Sequence, residues 1–168
     1  GRSDGMEAPH IFVDKLTILM CLMIGIVGTL ICLYAVGYMK EYHVHHKEVK
    51  DRSGFFFAML FIFLGAMFGL VLSNNLMWIY FFWEITSLCS FLLIGYTKTE
   101  EAITNSFRAL WMNLLGGLGF AGAITFSVIK YDIIDLRNFV AIDNGGKLIL
   151  IPVLLLAIAG LTKSAQLP

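Results

Sequence analysis

Charge is scarce in this chain: 14% of its 168 residues are Asp, Glu, Lys or Arg, against roughly a quarter in soluble domains. The twelve basic and twelve acidic residues cancel to a net charge of zero, and no basic run appears. Nucleic-acid binding therefore has nothing to rest on. Cysteine is also sparse. Cys21, Cys32 and Cys89 lie in apolar stretches without the paired spacing of a zinc site or a disulfide framework. There is no glycine-rich phosphate loop, no Cys cluster for an iron–sulfur centre and no nucleophile–base constellation, so no cofactor and no metal are expected for this chain.

What the sequence has in excess is hydrocarbon: 58% of residues are hydrophobic and mean hydropathy is +0.80. This places the chain in the membrane class. It opens GRSDGMEAPH, without an initiator Met or a basic region leading into a short apolar one, and it stops at Pro168 inside a hydrophobic span. Both ends read as cuts in a longer membrane protein.

After a polar segment over 1–15, a transmembrane domain is expected over 16–168. Its spans fall at 16–39, 54–72, 76–96, 109–129 and 148–168, the last one truncated. The uncharged stretch 53–83 is too long for one crossing, and Ser73-Asn74-Asn75 divides it. Loops are expected at 40–52, 97–108 and 130–147, the last ending in an Asn144-Gly145-Gly146 turn. All spans should be helical, because in hydrocarbon every backbone donor and acceptor must be satisfied within the segment. The fold class is thus all-α, a polytopic transmembrane helical bundle embedded in the lipid bilayer.

Orientation is weakly encoded. Lys40, Lys47, Lys50, Arg52, Lys98 and Arg108 lie on one side, six against Arg2, Lys15, Lys130, Arg137 and Lys147, five, on the other. The excess leans towards a cytoplasmic 40–52 loop.

Two ionisable residues interrupt the apolar spans. Glu84 lies about nine residues into its span, roughly 13 Å deep and near the midplane. A charge there costs about 2.5–3.5 kcal/mol on insertion scales and needs a partner, water or a task. Tyr80 and Ser87 share its helical face, a polar stripe suited to a carboxylate that exchanges a proton with its surroundings. The bland alternative is a static ion pair pinning two helices. Lys163 sits about fifteen residues, or roughly 22 Å, into the last span, some 10 Å from Glu84 in depth. Direct pairing through tilt and a bridge through water or another charge both remain open. Around it, Gly160, Thr162, Ser164, Gln166 and Pro168 have the composition of a helix that breaks inside the membrane. Its alternative is an interfacial lysine snorkelling to the headgroups.

Arg108 opens the fourth span at the membrane edge, either as a snorkelling anchor or as a fixed charge biasing a nearby proton site. Gly116, Gly117 and Gly119 in the same span are explained by close helix packing. His43, His45 and His46 crowd a polar loop that solvation explains. Trp78 and Trp111 lie near span ends and read as interface anchors.

The stretch Phe82-Trp83-Glu84-Ile85-Thr86-Ser87-Leu88-Cys89-Ser90-Phe91-Leu92-Leu93-Ile94-Gly95-Tyr96 resembles the Trp-Glu signature of the antiporter-like membrane subunits of respiratory complex I, Mrp antiporters and energy-converting hydrogenases. Asp14-Lys15-Leu16-Thr17 looks like the start of that family's third helix. Gly160-Leu161-Thr162-Lys163-Ser164-Ala165-Gln166-Leu167-Pro168 looks like its broken seventh helix. The resemblance covers nearly the whole chain. It implies helices three to seven of a roughly fourteen-helix protein, most of the first of two five-helix inverted repeats.

The resemblance also implies that Glu84 and Lys163 are the charge pair coupling neighbouring proton channels, and that Arg108 stands where many members carry lysine as an electrostatic modulator. Leu114 and Gly117 stand where the complex I branch has Arg and Asp, which leans towards the hydrogenase-linked branch. The implied function is proton or Na⁺ translocation as the non-redox membrane subunit of a redox-driven complex. The expected partners are other membrane subunits and a peripheral redox module, with the cell inner (cytoplasmic) membrane, crossed several times, as the location. The alternatives are an Mrp-type secondary Na⁺/H⁺ antiporter subunit and a structural helical scaffold with static charges.

Overall fold

The computed structural model describes residues 10–142 and 146–164. The 1–9 segment, most of the Asn144-Gly145-Gly146 turn, and Ala165 to Pro168 of the last motif lie outside the described residues.

Three of the four long helices start where a short polar side chain caps them. Asp14 accepts from the Thr17 backbone N–H at 2.7 Å and from its hydroxyl at 2.8 Å, opening α1 (Lys15–His45). A loop leads to α2 (Ser53–Leu72). Asn75 accepts from Met77 and Trp78 N–H groups at 2.9 and 3.4 Å and starts α3 (Leu76–Ile94). Thr99 caps α4 (Glu100–Tyr131) through Ala102 N–H at 3.2 Å, and Glu100 and Glu101 in its first turn complement the helix dipole. Asp132, left-handed at φ 51°, ends α4 by donating its N–H to Ser127 and Val128 carbonyls. A short α5 (Leu136–Val140) and a 3₁₀ turn (Gly146–Ile149) lead into α6 (Leu150–Lys163).

Two helices outrun their apolar stretches. α1 continues through Lys40 and Glu41 to His45, so His43 and His45 are helical rather than part of a loop. α4 begins at Glu100 rather than near residue 109, because the Thr99 cap and two glutamates favour a helix before hydrocarbon requires one. Arg108 and Trp111 consequently stand two and three turns inside α4, not at its end. At 1.5 Å per residue α1 is about 46 Å long, well beyond a 30 Å hydrocarbon core.

The helices pack in chain order: α1 on α2, α2 on α3, α3 on α4, and α4 on α6. Their turns gather at two ends. At one, the buried Tyr96 hydroxyl accepts from Arg52 N–H at 3.1 Å and meets His43 Nε2 at 3.0 Å, while the Arg52 guanidinium donates to Tyr96 O at 2.7 Å. This ties the end of α1 and the start of α2 to the end of α3. At the other, Asn74 N–H donates to His10 O at 2.8 Å. Its carbonyl accepts from Leu136 N–H at 2.6 Å and its side-chain oxygen from Arg137 N–H at 3.2 Å. Among the described residues there is no strand beyond two isolated bridges at this end.

Among the described residues, four helices, α1 to α4, are long and apolar enough to cross a membrane, while α6 is a shorter apolar helix. The molecule is an all-α polytopic bundle. Its core, Leu76, Ile79, Phe120, Ile124 and Ala159, lies where α3, α4 and α6 meet, flanked by Tyr80 and Trp83. Outward faces are apolar; Leu30, Leu33 and Tyr34 of α1 are each more than 60% exposed, the surface that lipid or neighbouring helices cover.

Candidate functional site

Glu84 is the ninth of the nineteen residues of α3, at the middle of the helix. Its carboxyl turns towards α4, where Gly117 leaves room for it. A Cβ at Gly117 would come within 2.5 Å of Glu84 Oε1. That oxygen is buried and has no hydrogen-bond partner among the described residues. A buried acceptor in this condition is expensive to maintain.

Lys163 is the last residue of α6. Its side chain crosses to α3, where the ammonium donates to Ser87 Oγ at 2.6 Å and to Trp83 O at 3.3 Å, and lies 5.2 Å from the centroid of the Trp83 indole. The Trp83 carbonyl also accepts from Thr86 Oγ1 at 2.7 Å and Ser87 Oγ at 3.2 Å. Because Trp83 precedes Glu84 in α3, the ammonium stands at the level of the carboxylate. The 10 Å depth difference expected from residue counting is absent, because the long lysine stem reaches across between helices. Among the described residues the two charges form no direct ion pair. The ammonium is held instead by the Ser87 hydroxyl and the Trp83 carbonyl, on the same helix as the carboxylate.

The glycines of α4 make this approach feasible. A Cβ on Gly116 would collide with Thr162 Oγ1 and lie 3.4 Å from Ala159 O, and one on Gly119 would lie 3.2 Å from Leu155 O. The α6 backbone therefore rests directly on α4, which delivers Lys163 to α3.

Of the residues expected to form the site, Glu84, Ser87 and Lys163 come together. Tyr80 packs its ring against Phe120 at 5.7 Å and shows no hydrogen bond to the carboxylate. Arg108 is exposed and makes no hydrogen bond or ion pair with any described residue. It stands nine residues before Gly117, about 13 Å away along α4 and on the opposite helical face. The histidines serve structure: His43 meets Tyr96, and His46 stacks on Tyr42 at 4.4 Å.

Two contributors escaped the sequence reading, Trp83 and Gly117. The first acts mainly through its backbone carbonyl, which no side-chain pattern advertises. The second acts through the absence of a side chain. The available signal was that Gly117 departs from the Asp that the resemblance to the complex I branch implies there.

Comparison with known proteins agrees with this architecture. Residues 73–168 match the family model described as NADH:quinone oxidoreductase/Mrp antiporter, transmembrane. Residues 9–47 match that described as NADH-Ubiquinone oxidoreductase (complex I), chain 5 N-terminus. The chain is 34% identical over 170 residues to a Na(+)/H(+) antiporter subunit A1 of Staphylococcus haemolyticus (strain JCSC1435), covering 95% of this chain and 20% of that protein. It is 32% identical over 163 residues to the subunit of the same name in Staphylococcus aureus strains JH9 and Newman, covering 94% of this chain and 19% of theirs. The chain thus spans about a fifth of the length of these relatives.

Proposed function

We propose that this chain, which belongs to the NADH:quinone oxidoreductase/Mrp antiporter family, carries part of the ion pathway of a Na⁺/H⁺ antiporter subunit, with Glu84 and Lys163 as its protonation switch. One observation carries this reading: a mid-helix carboxylate with an unpartnered oxygen shares α3 with the Ser87 hydroxyl and the Trp83 carbonyl, which hold the Lys163 ammonium at 2.6 and 3.3 Å. A static scaffold charge would be expected to form the direct ion pair, since an unpaired buried charge is costly. An open carboxylate is suited to receive a proton or cation and pass it on. In this reading a proton reaching Glu84 removes its charge and changes the field at Lys163, whose own proton then moves onward.

The antiporter assignment draws on relatives named as Na(+)/H(+) antiporter subunits. None of these supports the lean towards a hydrogenase-linked branch. A second reading, the membrane subunit of a redox-driven complex with a peripheral redox module, is favoured by the family models named for NADH:quinone oxidoreductase. Both readings use the same Glu84–Lys163 chemistry and differ in partners. Co-purification separates them: a quinone-reductase or hydrogenase module favours the redox complex, and antiporter subunits alone favour the exchanger. Arg108, exposed and remote, would act at most as a long-range electrostatic bias.

The test is made on the full-length subunit in its complex in everted membrane vesicles. Glu84→Gln and Lys163→Ala each should abolish cation-dependent proton movement, followed by a pH-sensitive dye, while the subunit accumulates normally. Wild-type transport in either variant overturns the reading.

A further inference from the structure

We propose that Ser87 is a positioning residue whose hydroxyl, with the Trp83 carbonyl, forms a seat for the Lys163 ammonium beside the Glu84 carboxylate but not on it. The inference rests on the ion-pathway reading above and adds to it a second station for the lysine.

A serine hydroxyl has one donor and two acceptor sites. Ser87 directs its own proton to Trp83 O at 3.2 Å, which leaves its lone pairs for the ammonium at 2.6 Å. Ser87 is 3% exposed, so no bulk water competes for that contact. The neighbouring Trp83 carbonyl takes a second ammonium proton at 3.3 Å, and the indole face lies 5.2 Å from the cation. These groups carry no net charge. They satisfy a half-buried cation without neutralising it and without occupying the carboxylate.

The consequence lies in what remains open. With Lys163 seated on Ser87, Glu84 Oε1 stays unpartnered in the clearing at Gly117. Without the seat, the nearest strong acceptor for the ammonium is that carboxylate, and a direct buried pair is hard to break once formed. Ser87 therefore divides the lysine between two stations, and turnover requires both. The hydroxyl is the essential feature, rather than the size of the side chain.

The experiment uses the full-length subunit in its complex in everted vesicles, with the initial rate of Na⁺-driven proton movement measured across a range of Na⁺ concentrations. Ser87→Ala should lower the maximal rate about tenfold, the scale of one lost hydrogen bond to a charged group, and leave the half-saturating Na⁺ concentration unchanged. Ser87→Thr, which keeps the hydroxyl, should stay within about twofold of wild type, whereas Ser87→Val, of the same shape without it, should behave like Ser87→Ala. If Ser87→Ala fails to accumulate, the Thr and Val variants supply the same comparison. Equal rates for Thr and Val overturn the seat, as does loss of the protein in all three variants, which would make Ser87 purely structural. Wild-type rates in Ser87→Ala alongside an inactive Glu84→Gln sink the seat and leave the ion-pathway reading standing. Full activity in Glu84→Gln removes that reading itself.

Discussion

Gly117 contributes by having no side chain, and the Glu84 carboxyl occupies the space a methyl group would fill. In an ordinary exposed helix, glycine to alanine is favourable by about 1 kcal/mol. Here the sign should reverse in function, because the displaced atom is the unpartnered oxygen. Gly117→Ala is expected to push the carboxyl out of its clearing and cut cation-dependent proton movement at least about tenfold, with normal accumulation of the subunit. Gly65 in α2 has nothing within 4 Å of its would-be Cβ, and Gly65→Ala should leave transport unchanged. Similar rates in the two variants would remove the clearing from the mechanism. The positions of Glu84 and Lys163 were legible as residues, since intramembrane charges stand out against hydrocarbon. Their mutual geometry was not, because counting residues along two helices ignores the reach of a lysine stem and the closeness that glycines permit.

At the scale of elements, the bundle is fastened where its turns meet, and one fastening responds to acid. Asp51 sits in the α1–α2 loop and accepts from the Ser53 hydroxyl and from the Ser53 N–H at 2.9 Å, with His43 Nε2 3.4 Å away. These contacts, the Ser53 hydroxyl foremost, hold its carboxyl below the usual carboxylate range. A carboxyl depressed in the folded state stabilises it above the ordinary aspartate pKa, and that contribution is lost as pH falls through the depressed value. Asp51→Ala should therefore melt lower than wild type in detergent at neutral pH, with the gap narrowing below about pH 4. The gap should be small, because the group is exposed and solvent-screened. A gap that widens on acidification would contradict this account. Hydropathy marked where hydrocarbon begins but not where helices begin. The Thr99 cap with Glu100 and Glu101 starts α4 outside the apolar stretch, and α1 keeps its hydrogen-bond ladder through Lys40 and Glu41. Caps and dipoles, not hydrophobicity, set those ends.

At the scale of the whole molecule, the alternating helices place the 46–52 and 95–99 turns at one end, joined by the Tyr96–Arg52 contacts. The 73–75 turn and the segment after α4 lie at the other, joined through Asn74. A membrane-impermeant thiol reagent applied to intact cells should therefore label only one of Lys47→Cys and Asn138→Cys, introduced singly into a background lacking Cys21, Cys32 and Cys89. Labelling of both would rule out this topology. The resting of α6 on the glycine surface of α4 has a dynamic consequence. With the Leu155 and Ala159 carbonyls so near Gly119 and Gly116, sliding or rolling of one rod against the other is expected to be resisted by backbone close to backbone. The two are expected to move as a single stiff plank. Motion at the charge site is then left to the swing of a four-carbon arm at the plank's tip, fast and small in amplitude, in place of the rocking of whole helices.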